Sequence, residues 1–320
     1  MEVKTYLTGA FARPERLIKA FRDNRKGKVT DEELSSILSH YTSEVIKHQK
    51  EEQLTYVIDG MLRWNDLFRP LAENMEGVKV NGLARWFDNN LFYKKPVVTG
   101  EINLSRSIVS EYIMLNLLSN VRWKLILPEP YTMASMMENI YYRRFDDLLF
   151  ALAEVIGEEA YNAYVNGVSQ VQLSAPYLVF QKLTEDELDI AIQAVGEVRK
   201  RTKAEILLHT YYGSVGRIMP RLLDFPVDVV GVDLTQTPDK HLTEYSITKD
   251  ICLGVIDGRN SMLEDVNLAV GRVMKILEYV DVKGLHISPS CEFEALPYEV
   301  ALRKVKILSQ VRDGVLEEVT

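Results

Sequence analysis

The sequence predicts an α/β chain folded as a single (β/α)8 TIM barrel over residues 1–320, and three observations carry that expectation. Eight short apolar, β-branched runs recur along the chain, bounded by Gly, Pro, Asp or Ser. Longer segments of helical period lie between them, the alternation that βα units of a parallel sheet produce. Most of the runs lack strict period-two alternation, as strands buried on both faces do.

In chain order the first run is VKTYLTG at 3–9 and the second LTYVIDG at 54–60. From 61 to about 121 follows the longest interval, which reads as an insertion after the second strand and contains the aromatic stretch RWFDNNLFY. The remaining strands are KLILP (124–128), VQLS (171–174), EILLHTY (205–211), VVGVDL (229–234), CLGVIDG (252–258) and GLHISPS (284–290). Between the fourth and fifth lies TEDELDIAIQAVGEVRKRT, where Thr184 and Glu187 form a capping box ahead of apolar residues at helical spacing and a basic last turn. PYEVALRKVKILSQVRDGV supplies the last helix, with Pro297 early and Gly314 near its expected end.

Composition excludes several classes. Hydrophobic residues make up 47% and charged residues 26%, the balance of a soluble globular protein. No apolar run approaches the roughly 20 residues of a spanning helix, and the N-terminus lacks a secretory pattern, so a cytoplasmic location is expected. Two cysteines, Cys252 and Cys291, make neither a disulfide framework nor a C-x-x-C pair. A net charge of −8 without a basic tract argues against nucleic acid or anionic lipid as partner.

In such a barrel the chemistry lies at the C-terminal strand ends. The residues there are Asp59, Arg63, Glu129, Ser174, His209, Tyr211, Asp233, Asp257, Arg259, Asn260 and Cys291. His209, Asp233 and Cys291 end or follow three different strands and are of zinc-ligand type, but they make an incomplete set. Local hydrogen bonding for His209, packing for Cys291 and a cap for Asp233 are the alternative. Arg63, Arg69, Arg85 and Arg259 suit carboxylate recognition as well as ion pairing. An Asp-Gly turn at DGRN, 257–260, would place Arg259 and Asn260 over the barrel mouth. Trp64, Trp86, Phe87, Phe92 and Tyr93 are either a stacking wall for a flat ligand or core of the long interval. No G-x-S-x-G, P-loop or G-x-G-x-x-G occurs.

Five motifs go further: GLARWFDNNLFYKKPVV (82–98), HTYYGSV (209–215), FPVDVVGVDL (225–234), LGVIDGRNS (253–261) and SPSCEFEALP (288–297). Together with the opening TGAFARPERLIKAF and KGKVTDEEL, they resemble the cobalamin-independent methionine synthase family, in order and over nearly the whole chain. Full-length members carry two (β/α)8 barrels. The C-terminal one holds the zinc that activates homocysteine, and the N-terminal one lacks metal and helps hold the folate donor. This chain resembles the N-terminal half as a stand-alone barrel.

The resemblance implies that zinc has been lost. In the zinc-bearing half the fifth strand reads His-x-Cys, a Glu ends the sixth and a Cys follows the eighth. Here His209 and Cys291 match, Tyr211 replaces the first Cys and Asp233 replaces the Glu. The fourth-strand pattern, approximately Gln-x-Asp-Glu-Pro, is Gln172-Leu-Ser-Ala-Pro176, so Ser174 and Ala175 remove both carboxylates. On the donor side, Arg85 and Trp86 match the basic residue and aromatic stretch near the folate, while Arg16 and Lys19 stand in the region of the first-helix basic cluster. The expected function is methyl transfer from a folate- or pterin-type donor to homocysteine, in company with a separately encoded zinc-bearing barrel. A self-sufficient zinc-dependent S-methyltransferase and a non-catalytic scaffold barrel are the alternatives. No catalytic residue is assigned.

Overall fold

The computed structural model describes residues 2–280 and 282–319. Among these, ten strands follow one another: β1 (Val3–Thr5), β2 (Met75–Arg85), β3 (Phe92–Leu104), β4 (Lys124–Pro128), β5 (Glu138–Asn139), β6 (Gln170–Ser174), β7 (Glu205–Thr210), β8 (Val229–Asp233), β9 (Asp250–Ile256) and β10 (Leu285–Pro289). Seven form one parallel sheet in the order β1-β10-β9-β8-β7-β6-β4, and β2, β3 and β5 form a second sheet. The molecule is thus an α/β fold around a curled parallel sheet. Every residue of β4, β6, β8 and β10 is buried, which is why their sequences run apolar without alternation.

The second apolar run behaves differently from the other seven. Residues 54–58 make an isolated parallel bridge, Val57 with Trp123, rather than a full strand. Even so, they touch both edges of the large sheet. The Thr55 and Tyr56 amides donate to Thr5 O at 2.8 and 3.3 Å, and Val57 N donates to Arg122 O at 2.9 Å. Left-handed residues cut the run short at both ends, Gln53 (φ 53°) before it and Gly60 and Met61 (φ 80° and 52°) after it.

The interval after that run contains the long antiparallel hairpin β2–β3, which the aromatic pattern did not suggest. Its register shifts beside Gly77 (φ 73°), where a Cβ would lie 2.2 Å from Glu101 O, so only glycine fits this bulge. The helix Glu185–Arg201 forms as expected, with the Thr184 hydroxyl accepting from Glu187 N and the Glu187 carboxylate accepting from Thr184 N. The last helix, Tyr298–Val319, instead runs straight through Gly314. A Cβ there would meet Val270 Cγ2 at 2.8 Å, so this glycine serves close helix packing and not a C-cap. No helix of the described residues is long and apolar enough to cross a membrane.

Candidate functional site

A cleft with about 600 Å³ of empty space opens at the C-terminal ends of the parallel strands. One wall is aromatic, from Trp64, Trp86, Phe92 and Tyr93; the floor includes Thr8, Ile126, Ser174 and Tyr211; Asp66, Glu292 and Glu294 bring carboxylates. Three of the chain's left-handed non-glycine residues, Met61, Phe87 and Tyr212, lie at or beside this cleft. Such backbone is costly for residues with a side chain, and it concentrates at functional sites.

Glu292 is the centre of the polar network. Its Oε1 accepts from Trp86 Nε1 at 3.3 Å and from the Tyr212 hydroxyl. Burial pushes its carboxyl above the usual range, against the hydrogen bond from Tyr212. Gly9 makes the arrangement possible, since a Cβ on it would fall 2.5 Å from Glu292 Cβ. Glu294 pairs with Arg13 at 3.0 Å, and Arg13 is itself fixed on the carbonyls of Leu62 and Trp64. Asp66 is consumed locally, accepting from the amides of Phe68 and Arg69 and pairing with the Arg69 guanidinium at 3.2 Å. The buried indole N–H of Trp64 has no partner.

Several residues named from the sequence join this network. Trp86 reaches Glu292 directly, and the Arg259 guanidinium stands 5.5 Å from the centre of the Tyr212 ring while donating to Thr235 Oγ1 at 3.3 Å. Asn260 caps its own turn by accepting from Met262 N at 3.0 Å. Arg85 is exposed at the end of β2, 6.0 Å from the Phe92 ring centre. Arg16 and Lys19 lie on the exposed face of the helix Glu15–Asn24. Glu129, fully buried, caps the helix Pro130–Met136 by accepting from Tyr131 N and Thr132 N at 2.8 and 2.7 Å, and burial raises its carboxyl to about 7.

The residues present do not fit a zinc ion at His209, Asp233 and Cys291. His209 is fully buried, and its Nε2 meets Ser290 O at 3.0 Å. Nδ1 has no partner and lies against the backbone of Gly231, where a Cβ would come within 2.5 Å of it. Burial, and after it the neighbouring Lys124, lowers the imidazole to about 3. Asp233 accepts from Thr235 N and Oγ1 at 2.8 and 2.6 Å and from Tyr212 N at 3.3 Å. Cys291 Sγ accepts from Ser290 Oγ at 3.8 Å and donates to Glu292 O at 3.7 Å, and burial pushes the thiol well above its ordinary range. Among the described residues, these three do not gather their ligand atoms within 4.8 Å of one another. His209 stacks on Tyr211 instead, with ring centres 5.4 Å apart.

Sequence reasoning did not single out Glu292 or Glu294. Two glutamates alternating with Phe293 directly after Cys291 were the available signal, since alternation past a strand end keeps both on one side.

Residues 63–281 match the family described as cobalamin-independent synthase, N-terminal domain. The methionine synthase of Sulfolobus acidocaldarius is 28% identical over 309 residues, covering 94% of this chain and 88% of that protein. That of Saccharolobus solfataricus is 27% identical over 319 residues, covering 98% and 95%. Among solved structures, a B12-independent methionine synthase from Shewanella sp. W3-18-1 in complex with selenomethionine has the same fold, with a TM-score of 0.82 at 20% identity and 99% and 98% of the two chains covered. On the family match, which spans more than half of its residues, the chain belongs to the cobalamin-independent synthases, as a member of their N-terminal-domain family.

Proposed function

We propose that this chain is the donor-binding component of a cobalamin-independent methionine synthase, holding a folate- or pterin-type methyl donor in the cleft while a separately encoded zinc-bearing barrel activates homocysteine. The observation that carries this reading is the pairing of Glu292 with Trp86 and Tyr212 inside an aromatic cleft, beside a His209–Asp233–Cys291 set whose ligand atoms, among the described residues, do not come within 4.8 Å of one another. A flat pterin suits aromatic walls, and its amino-pyrimidine edge presents N–H donors to a carboxylate. Both donors to Glu292 use Oε1, so Oε2 is the oxygen such an edge would engage. Asp233 and Tyr212 fix the strand-end turn that carries the Tyr212 hydroxyl, and Arg259 and Arg85 would meet the donor's anionic tail. In the same reading, residues 54–58 fill the eighth strand position of a (β/α)8 barrel, and the β2–β3 hairpin belongs to an insertion after it.

The chain's chemical task is then to bind, orient and exclude water, with no thiolate chemistry and no zinc step of its own. Titration of 5-methyltetrahydrofolate against the fluorescence of Trp64 and Trp86 tests it. Saturable quenching in the wild type, weakened about tenfold or more in Glu292→Gln, is expected for loss of a charge-assisted hydrogen bond. No saturable binding, with complex formation retained, would leave a scaffold barrel.

A further inference from the structure

The N-terminal end of the parallel sheet carries a second polar cluster, none of whose members lines the cleft. Glu205 and Asp250 begin β7 and β9, and His286 is the second residue of β10. One ligand atom from each of the three lies within 4.8 Å of the other two. His286 is fully buried, and its Nε2 has no hydrogen-bond partner. That nitrogen is 3.7 Å from Asp250 Oδ2, too far for a hydrogen bond. The other ring nitrogen is committed, with Nδ1 2.6 Å from the Tyr6 hydroxyl.

We propose that Glu205, Asp250 and His286 bind one divalent transition-metal ion of the zinc class. Two ligands bound at about 2.1 Å in tetrahedral geometry stand roughly 3.4 Å apart, so the Nε2 to Oδ2 spacing needs little closure. An Nδ1–H donating to the Tyr6 oxygen leaves the Nε2 lone pair for metal, the outer-shell arrangement usual for a ligating histidine. One imidazole and two carboxylates favour zinc-like ions over calcium or magnesium, and water would complete the coordination. Glu205 is held by Lys4 Nζ at 2.7 Å on Oε2 and by Gln170 Nε2 at 2.7 Å on Oε1. Lys4 offsets one of the two carboxylate charges, so it opposes the ion without taking its place. Side-chain exposures of 20% for Glu205 and 28% for Asp250 give the ion a way in from solvent. Bound there, it would tie the starts of three strands, β7, β9 and β10, that are far apart in sequence.

Calorimetric titration of the chelator-treated full chain with zinc chloride, and with cobalt chloride read by its absorption spectrum, tests the site. One ion per chain is expected, and Asp250→Asn and His286→Gln should each weaken it by more than about tenfold, with Tyr6→Phe losing about tenfold through the outer shell. Lys4→Met, which removes the opposing ammonium and no ligand, should tighten binding by about tenfold. Cys291→Ser should bind as the wild type does. Absence of stoichiometric binding, an unchanged affinity in Lys4→Met, or loss of the ion in Cys291→Ser would each overturn the proposal, and Lys4→Met decides it even if the buried His286 variant does not fold.

Discussion

At the C-terminal ends of the parallel strands Glu292 meets Trp86 and Tyr212 beside open space, whereas at the N-terminal ends Lys4 and Gln170 bond to Glu205 and Tyr6 bonds to His286, away from that space. The two ends use similar side chains to opposite effect. Tyr6 stacks on Tyr56 at 5.7 Å and carries the Lys124 amine 3.7 Å above its ring, and burial pushes that amine well below its ordinary range. These contacts are made in regular strand backbone or directly beside it. The cleft end instead holds left-handed Phe87 and Tyr212 and an unpartnered Trp64 indole N–H. In parallel α/β sheets the strand starts stabilise and the strand ends bind and react, and here the difference is visible in where left-handed backbone and open space lie: of the four left-handed non-glycine residues among those described, three are at or beside the cleft.

If that contrast holds, Tyr6→Ala is the most costly change. It empties a fully buried ring site and strands His286 Nδ1, so denaturant unfolding should show a loss of about 3–5 kcal/mol with donor binding retained in the folded fraction. Gly231→Ala should follow at about 1–3 kcal/mol, because its methyl would press on His209 within the packed interior. Equal stability of Gly231→Ala and wild type would mean that His209 can move, reopening it as a ligand.

Glu129 sets a pH dependence at the cleft end. Its folded value of about 7 lies above the ordinary 4.5, so the folded state holds the proton more tightly than the unfolded state does. Its stabilisation is complete below about 4.5 and is lost as pH rises through about 7, at most about 3 kcal/mol across that window. Thermal melts at pH 5 and pH 8 should therefore differ less in Glu129→Gln than in the wild type. The smallest effect is expected for exposed Arg85→Ala, whose stability should change by no more than about 0.5 kcal/mol. Its signature would be loss of any preference for a polyglutamylated over a monoglutamyl donor, measured by competition binding.

Seven of the eight apolar runs became strands because a strand buried on both faces writes its position into a continuous apolar segment. The remaining one, 54–60, has the same composition but is ended early by Gln53, Gly60 and Met61, and Gln and Met, unlike Gly, Asn or Asp, do not announce a left-handed residue. The β2–β3 hairpin was hidden because it is largely exposed and its bulge at Gly77 breaks the alternation. Trp86 and Arg259, named from the sequence, lie beside Glu292 and Tyr212 in the structure. Glu292 was not legible, since its role depends on Gly9 and Tyr212, which reach it from distant parts of the chain. Likewise, the residues named for zinc had the right types, and only packing against Gly231 and Ser290 shows why they do not assemble.

The central claim is that this chain supplies donor binding and no thiolate chemistry. Methyl transfer from 5-methyltetrahydrofolate to homocysteine, assayed with the purified chain alone, with a zinc-bearing barrel, and with that barrel plus the Cys291→Ser variant, tests it most directly. The expected result is no methionine from the chain alone, turnover in the mixture, and the same turnover with Cys291→Ser. Methionine made by the lone chain and abolished by Cys291→Ser would contradict it and make Cys291 a working ligand.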